Sequence, residues 1–172
     1  ILLTALTLAI GDWTKNYSLS LSLEGHGRED IIKDIDLSRT IGWFTSIFPV
    51  YLEIENPDDL GEAIKTIKET LRQIPDKGIG YGILKYLTLE KPLSLISSDT
   101  NSTVSPLYPS LSFNYLGQWD NTLSQEGLFE FAQESSGCSI ARENTSSYYL
   151  NINSEVRGEV FSVYFDYSSN HY

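Results

Sequence analysis

The chain has 172 residues and a formal net charge of −11 at pH 7, and 12% of its residues are aromatic. The aromatic content argues against a disordered chain, and the acidic balance argues against nucleic acid or an anionic membrane as a partner, because phosphates would repel it. A single cysteine, Cys138, excludes an internal disulfide and a thiolate metal cluster, and predicts a small buried side chain in a reducing, cytoplasmic setting.

The first third of the chain predicts one helix and two strands. Residues 1–10 are apolar and predict a buried helix running to Gly11, although so short a run is also compatible with a strand. Residues 16–24 alternate strictly between apolar and polar side chains and predict a half-buried strand. Residues 47–54 predict a second strand, with Pro49 near its start or at a sheet edge.

The next segment carries the clearest helix signal. Asn56 precedes Pro57 and two acids, which is typical of a cap, a proline at the first helical position and acids in the first turn. Apolar residues then recur every three or four positions until Pro75, which should end the helix. This stripe comprises Leu60, Ile64, Ile67, Leu71 and Ile74. Beyond it, residues 75–82 predict a glycine-rich loop that leads into a short helix at 83–87.

The remaining residues predict strands separated by polar loops. Residues 93–108 are rich in Ser, Thr, Asn and Pro and predict a flexible loop, and residues 118–127 predict another. Strands are predicted at 111–116, 148–152 and 160–167. The last two should form an antiparallel hairpin with a turn near residues 153–158. The chain has no repeat and no dividing linker, and its mixture of strands and amphipathic helices predicts one α/β domain.

The first predicted strand carries Glu24 at the end of its polar face. Successive side chains of a strand point to opposite sides, so Tyr17, Leu19, Leu21 and Leu23 share one face and Ser18, Ser20, Ser22 and Glu24 the other. Glu24 is followed, between glycines, by His26, Arg28 and Glu29. A carboxylate, an imidazole, a guanidinium and a second carboxylate predict an acid–base cluster. The simpler interpretation is a polar strand end followed by a glycine turn.

The segment Glu24-Gly25-His26-Gly27-Arg28-Glu29 resembles a signature of the epimerization domains of nonribosomal peptide synthetases, which are relatives of the condensation domains. Other segments resemble further family motifs in the same order: LLTAL at 2–6, RTIGWFT at 39–45 with the following Pro49-Val50, PDKGIGYG at 75–82 and FNYLGQWD at 113–120. The chain departs from the family in lacking a His-His-x-x-x-Asp motif, since its two histidines are His26 and His171. We expect that motif upstream of residue 1.

This resemblance implies a fold and a reaction. The fold is chloramphenicol-acetyltransferase-like (condensation-type), with a mixed sheet and packed helices, and residues 1–172 would form its C-terminal half. The reaction inverts the α-carbon, from L to D, of an aminoacyl or peptidyl thioester on the 4′-phosphopantetheine arm of a peptidyl carrier protein. The implied partners are this carrier, the N-terminal half of the same domain and adjacent synthetase modules. No metal and no directly bound cofactor are expected, and the fragment alone should be inactive.

Epimerization requires a proton to leave the α-carbon and return from the opposite face while the enolate oxygen is stabilised. Glu24 is expected to be one acid/base, opposite the family's histidine; alternatively it is a solvated carboxylate or an ion pair with Arg28. Asn114 or Tyr115 is expected to donate to the enolate oxygen, but only one faces the cleft unless the strand bulges. Tyr115 is otherwise a core aromatic. His26 should orient Glu24 or form a structural hydrogen bond, and Arg28 should pair with Glu24 or contact the pantetheine phosphate. Both residues are expected at the site that binds the substrate and its phosphopantetheine arm.

Two other functions are compatible with the same residues. One is a condensation domain that joins two carrier-bound acyl groups, although residues 42–45 and 113–118 are more similar to the epimerization motifs. The other is a non-catalytic scaffold that binds the carrier protein without catalysing a reaction. An assay of α-hydrogen exchange separates these functions.

Overall fold

The computed structural model describes residues 1–29, 31, 33–88, 109–119, 132, 134–135, 137–138, 141 and 143–168. The chain divides into two compact units, Ile1–Pro109 and Ser110–Tyr172. The predicted loop at 93–108, nearly all of that at 118–127, and His171 lie outside the described residues.

The first unit is built from helices packed against a pair of strands. Its elements are helix α1 (Leu2–Thr14), strand β1 (Ser18–Gly25), strand β2 (Ser46–Glu53), helix α2 (Leu60–Arg72), a 3₁₀ turn (Pro75–Gly78) and helix α3 (Gly80–Tyr86). Helix α1 packs against β1 and α2, whereas α2 and α3 pack against β2. The predicted first helix and both predicted strands are confirmed, and α1 continues past Gly11 to Thr14.

The two strands of this unit run antiparallel and share a buried apolar face. Leu19 lies opposite Leu52, and Leu21 lies opposite Val50. Leu21 and Leu52 have no exposed surface. Burial of one such side chain stabilises a fold by about 1.5–3 kcal/mol, so these pairs fix the register of the two strands. Pro49 lies in β2, which is an edge strand, the position in a sheet where a proline is tolerated.

Helix α2 begins later than its sequence pattern predicts. Asn56 is not the cap: its side chain accepts from the N–H of Asp58 at 3.3 Å, within a turn that precedes the helix. The cap is Asp59, whose carboxylate accepts from the N–H of Glu62 at 3.0 Å. The prediction was wrong because an Asn before a proline forms a local turn as readily as a helix start.

Fewer residues of α2 are buried than its stripe of apolar residues predicts. Ala63 and Ile67 are buried, whereas Leu60 is 60% exposed. The helix ends at Arg72, and Ile74 adopts an extended conformation before Pro75, as the residue before a proline favours. Helix α3 spans Gly80–Tyr86 and so starts three residues before the predicted 83–87 segment, because its glycines are accommodated within the helix.

Among its described residues, the second unit contains three strands: β3 (Leu111–Gln118), β4 (Leu150–Arg157) and β5 (Val160–Tyr167). Strand β3 pairs in parallel with β4, and β4 pairs antiparallel with β5, so the sheet is mixed. The hairpin is confirmed, but its turn is at Gly158 and Glu159 rather than across 153–158. Both residues have positive φ, 57° and 61°, which is typical of a two-residue type I′ turn.

Strand β4 continues beyond the predicted segment because its polar residues are used by the sheet. Beyond that segment, the hydroxyl of Ser154 donates to the carbonyl of Asn114 at 3.3 Å. Within it, Asn151 accepts a hydrogen bond from the hydroxyl of Ser112 at 2.8 Å. Ile152, on the opposite face, is 2% exposed. Asn and Ser have low strand propensity, which is why the sequence favoured a turn here, but pairing with neighbours on both sides outweighs that preference.

Cys138 is exposed, so the prediction of a buried thiol was wrong; it and the preceding Gly137 lie outside the helices and strands of the described residues. Among the described helices, none combines the length and hydropathy that a bilayer crossing demands. Within the described residues, no group of three or more acidic, His or Cys side chains is arranged to hold a metal ion.

Candidate functional site

Glu24 lies at the end of β1, as the alternating pattern predicts. It is opposite Ile47 of β2 and is exposed, and the neighbouring Leu23 points to the other face, where it lies opposite Phe48. The polar face is not simply a solvent face, because Ser22 is only 5% exposed. The strand therefore changes from covered to accessible within two residues, and Glu24 is on the accessible side of that change.

The loop after Glu24 lies directly on the backbone of a distant segment. Gly27 has φ +66°, and a Cβ added there would be 1.5 Å from the carbonyl oxygen of Phe44. Only glycine fits, both because of the left-handed backbone and because of the close approach. This contact joins two of the segments that resemble family motifs, 24–29 and 39–45.

Arg28 holds the same two segments together through its side chain. Its Nη1 donates to the carbonyl of Leu37 at 2.6 Å, and its Nη2 donates to the carbonyl of Gly42 at 3.4 Å. The guanidinium also stacks over the ring of Phe44, 4.2 Å from its centroid. A charged donor to a carbonyl contributes about 1.5–3 kcal/mol and a cation–π contact about 0.5–1 kcal/mol. These contacts make Arg28 a support of the loop.

His26 uses both of its ring nitrogens within the loop. Its Nδ1 accepts from the backbone N–H of Arg28 at 3.0 Å, and its Nε2 lies 3.2 Å from Oε1 of Glu29. Because Nδ1 accepts, a neutral ring carries its proton on Nε2, the nitrogen that faces Glu29. The structural hydrogen bond expected for His26 is therefore present, and its donor is the backbone N–H of Arg28. The other ring nitrogen lies beside Glu29.

Glu29 makes the contact that sequence reasoning missed. Its side chain is 12% exposed, and its Oε2 accepts from Nζ of Lys77 at 2.6 Å. Lys77 is 48 residues away and belongs to the 75–82 segment. Sequence carries no signal for a pair at this separation.

Asn114 and Tyr115 are consecutive residues of β3, opposite Asn153 and Ser154 of β4. At these positions the register is regular, so the two side chains point to opposite faces of the strand. Asn114 is half-buried and Tyr115 is 45% exposed. Ser154 has no exposed surface, and its hydroxyl donates to the carbonyl of Asn114 at 3.3 Å.

A β-bulge follows this pair. Between Tyr115 and Gln118, β3 advances three residues while β4 advances two, and Gly117 in this stretch has φ +94°. The bulge inserts one unpaired residue and bends the strand immediately after Tyr115. Because it comes after the pair, it does not turn both side chains to one face. Glu24, His26 and Arg28 belong to the first unit, and Asn114 and Tyr115 belong to the second.

A family model described as the condensation domain matches residues 1–172. The chain therefore belongs to the condensation-domain family. The predicted α/β, condensation-type fold with a mixed sheet and packed helices is confirmed.

Similar proteins are synthases and a solved epimerization domain. Bacitracin synthase 2 of Bacillus licheniformis is 41% identical over 163 residues, which is 95% of this chain and 6% of that protein. Gramicidin S synthase 1 of Brevibacillus brevis is 40% identical over 180 residues, which is 100% of this chain and 16% of that protein.

The crystal structure of the epimerization domain from the third module of tyrocidine synthetase B is similar with a TM-score of 0.79 and 40% identity. The match covers 97% of this chain and 35% of that chain. The chain thus spans about a third of a solved epimerization domain and a small part of each synthase. The resemblance to epimerization domains is confirmed at the level of sequence and fold.

Proposed function

We propose that this chain is the C-terminal part of an epimerization domain of a nonribosomal peptide synthetase. The complete domain inverts the α-carbon of an aminoacyl or peptidyl group held as a thioester on a peptidyl carrier protein. Its partners are that carrier, the N-terminal half of the same domain and the adjacent synthetase modules. The 4′-phosphopantetheine arm arrives with the carrier as part of the substrate.

One observation carries this proposal above all: an exposed carboxylate, Glu24, ends a buried strand and is followed by a loop with little freedom. Gly27 lies against Phe44, and Arg28 bonds to two carbonyls of the neighbouring segment. A proton-transfer group must be held within reach of the proton it moves, and a fixed loop beside it meets that requirement. The similarity to a solved epimerization domain supports the same assignment.

In this proposal Glu24 is one acid/base, and a histidine of the N-terminal half is its counterpart across the substrate. A positioned acid–base group contributes about 10²–10⁴-fold to such a reaction. Asn114 or Tyr115 donates a hydrogen bond to the developing enolate oxygen, and the regular alternation of β3 allows one of them to do so.

His26 and Arg28 are proposed to face the phosphopantetheine arm. The guanidinium has five N–H donors, of which two hydrogen bonds to carbonyls use two, so that donors remain for a phosphate. The His26 side chain is 65% exposed.

The test uses the complete domain that carries this chain, together with a carrier protein loaded with an L-amino acid in deuterated solvent. We expect deuterium at the α-carbon and a mixture of D and L products after thioester cleavage. Retention of the α-hydrogen, with peptide formation when a second loaded carrier is added, would identify a condensation domain instead, the activity for which the matching family is described. Binding of the carrier without either reaction would identify a scaffold.

A further inference from the structure

Glu29 is a nearly buried carboxylate with two partners, one within its own loop and one far away in sequence. Its Oε1 is 3.2 Å from Nε2 of His26, and its Oε2 is 2.6 Å from Nζ of Lys77. The Glu29 side chain is 12% exposed, whereas that of Lys77 is 74% exposed. A carboxylate removed from water needs such partners, since an uncompensated buried charge is strongly unfavourable.

Lys77 belongs to a turn with an uncommon backbone. Asp76 and Lys77 both have positive φ, 45° and 50°, and Gly78 follows with φ +85°. Residues with a Cβ rarely adopt this conformation, and consecutive ones persist only where the surroundings determine them. Glu29 supplies one such determinant, because the ion pair fixes the direction of the Lys77 side chain.

The opposite side of this turn is fixed by the strands. A Cβ added at Gly78 would lie 2.2 Å from the ring of Phe48, so this turn packs directly on the residue opposite Leu23. The carbonyl of Lys77 is 3.9 Å from the position that a Cβ of Gly25 would occupy. The turn is therefore seated against the end of β1, one residue beyond Glu24.

Glu29 also closes the loop on itself. Nε2 of His26 lies 3.2 Å from Oε1 of Glu29, and its Nδ1 accepts the backbone N–H of Arg28. The contacts run from Lys77 through Glu29 and His26 to Arg28. Residues 25–29, which follow Glu24, are therefore held between the end of β1 and the 3₁₀ turn.

We propose that Glu29 and Lys77 are positioning residues that hold the loop after β1 in the conformation from which Glu24 acts. The expected effect on the rate of α-hydrogen exchange rests on the proposed function. The expected effect on the conformation of the loop does not. Neither residue is proposed to touch the substrate. Their ion pair limits the motion of the loop, and a displacement of about 1 Å in a reacting group can cost about a hundredfold in rate.

The experiment compares Lys77→Met, Lys77→Arg and Glu29→Gln with the unsubstituted complete domain. Two quantities are measured: hydrogen exchange of the backbone amides of residues 25–29, and the kcat and KM of α-hydrogen exchange. The matched control is Arg72→Met, which breaks another carboxylate–cation pair, Glu69–Arg72 at 3.0 Å, whose two side chains are more than half exposed.

We expect Lys77→Met and Glu29→Gln to raise amide exchange in residues 25–29 about tenfold or more, with the amides of Leu21 and Leu52 unchanged. We expect kcat to fall about tenfold to a hundredfold while KM stays within about twofold, because a misplaced group lowers the rate more than binding. Lys77→Arg should restore both quantities, since it keeps the cation, and Arg72→Met should alter neither.

The inference is overturned if Lys77→Met leaves the protection of residues 25–29 unchanged, or lowers it equally throughout β1 and β2. It is also overturned if Lys77→Arg behaves like Lys77→Met. Absence of α-hydrogen exchange in the unsubstituted domain would instead refute the proposed function. The amide measurement would still decide whether the ion pair holds the loop.

Discussion

The indole N–H of Trp119 donates a hydrogen bond to Oε2 of Glu155 at 2.8 Å, immediately after the bulge of β3. The other carboxylate oxygen, Oε1, accepts from the hydroxyl of Tyr164 at 3.0 Å. One carboxylate on β4 thus joins the end of β3 to β5. The bulge leaves β3 without regular pairing between Tyr115 and Gln118, and this side-chain contact closes the strand end in its place.

Substitution of Glu155 by Ala should loosen the end of β3. Hydrogen bonds to a charged group contribute about 1.5–3 kcal/mol, so we expect the free energy of unfolding to fall by an amount in that range. The indole N–H resonance of Trp119 should shift, while those of Trp13 and Trp43, which are 76% and 90% exposed, provide unperturbed references. Asp166→Ala, a change at an exposed acid of β5, serves as the control. An unmoved Trp119 resonance would contradict the assignment.

Substitution of Glu24 by Gln tests the proposed acid/base directly. We expect the rate of α-hydrogen exchange in the complete domain to fall about 10²–10⁴-fold, because the amide cannot accept the proton. The melting temperature should remain close to that of the unsubstituted protein, since Glu24 is exposed. Glu53→Gln, at an exposed glutamate that ends β2, is the matched control and should retain full exchange. Equal activity of the two variants would exclude Glu24 from proton transfer.

Substitution of Gly27 by Ala should lower the free energy of unfolding by more than the cost of a positive φ alone. The added methyl would overlap the carbonyl of Phe44, so we expect a loss of about 2–4 kcal/mol in the free energy of unfolding. Gly137→Ala is the control, because Gly137 has φ +82° with nothing within 4 Å of an added Cβ. That change should cost about 1–2 kcal/mol from backbone conformation alone. Denaturant unfolding of both variants measures the difference, and equal losses would show that the contact with Phe44 is relaxed.

Substitution of Arg28 by Lys keeps the charge but not the two carbonyl contacts. Lysine has a single nitrogen and cannot reproduce a planar fork stacked on Phe44. We expect faster tryptic cleavage after Lys33 and Arg39, both exposed in the segment that the guanidinium holds. The control is the rate of tryptic cleavage after Lys65 and Lys68 on α2, which should not change. An unchanged cleavage pattern would show that the segment is held without Arg28.

The contact between Tyr17 and Asp12 predicts a pH dependence of stability. The hydroxyl of Tyr17 donates to Asp12 at 2.7 Å, and this hydrogen bond, with partial desolvation and the negative charge of Asp12, raises the pKa of Tyr17 above its ordinary value of 10.0. Because the folded state favours the protonated phenol, the contribution is fully present below the ordinary pKa and is lost as the pH rises through the folded pKa.

Unfolding curves of the unsubstituted protein and of Tyr17→Phe, recorded from about pH 8 to about pH 12, should therefore converge at the alkaline end. Asp12→Asn should behave like Tyr17→Phe in this respect, since it removes the charged acceptor. A difference between the two curves that stays constant across this pH range would contradict the contact.

Local patterns predicted much of the first unit. The alternation of β1 depends on which side chains prefer burial, and the observed faces follow it, including the accessible position of Glu24. The prediction failed at Asn56 and at residues 153–158. At both places the polar residues are compatible with two structures: a turn or a helix cap at Asn56, and a turn or a strand at 153–158. Asn56 forms a turn instead of a cap, and Ser154 of β4 remains extended because the carbonyl of Asn114 on the neighbouring strand accepts its hydroxyl.

For the candidate site, too, the sequence predicted one part and only the folded chain showed the other. The order of residues was enough to identify the available chemical groups: the carboxylate of Glu24, the loop of glycines and charges behind it, and the family to which these motifs point. Which of those groups meet became known only from the folded chain, because the pairing of Glu29 with Lys77 and of Trp119 with Glu155 depends on distances between segments that are remote along the sequence. Periodicity reports the environment of one element, whereas an ion pair depends on the relative placement of two.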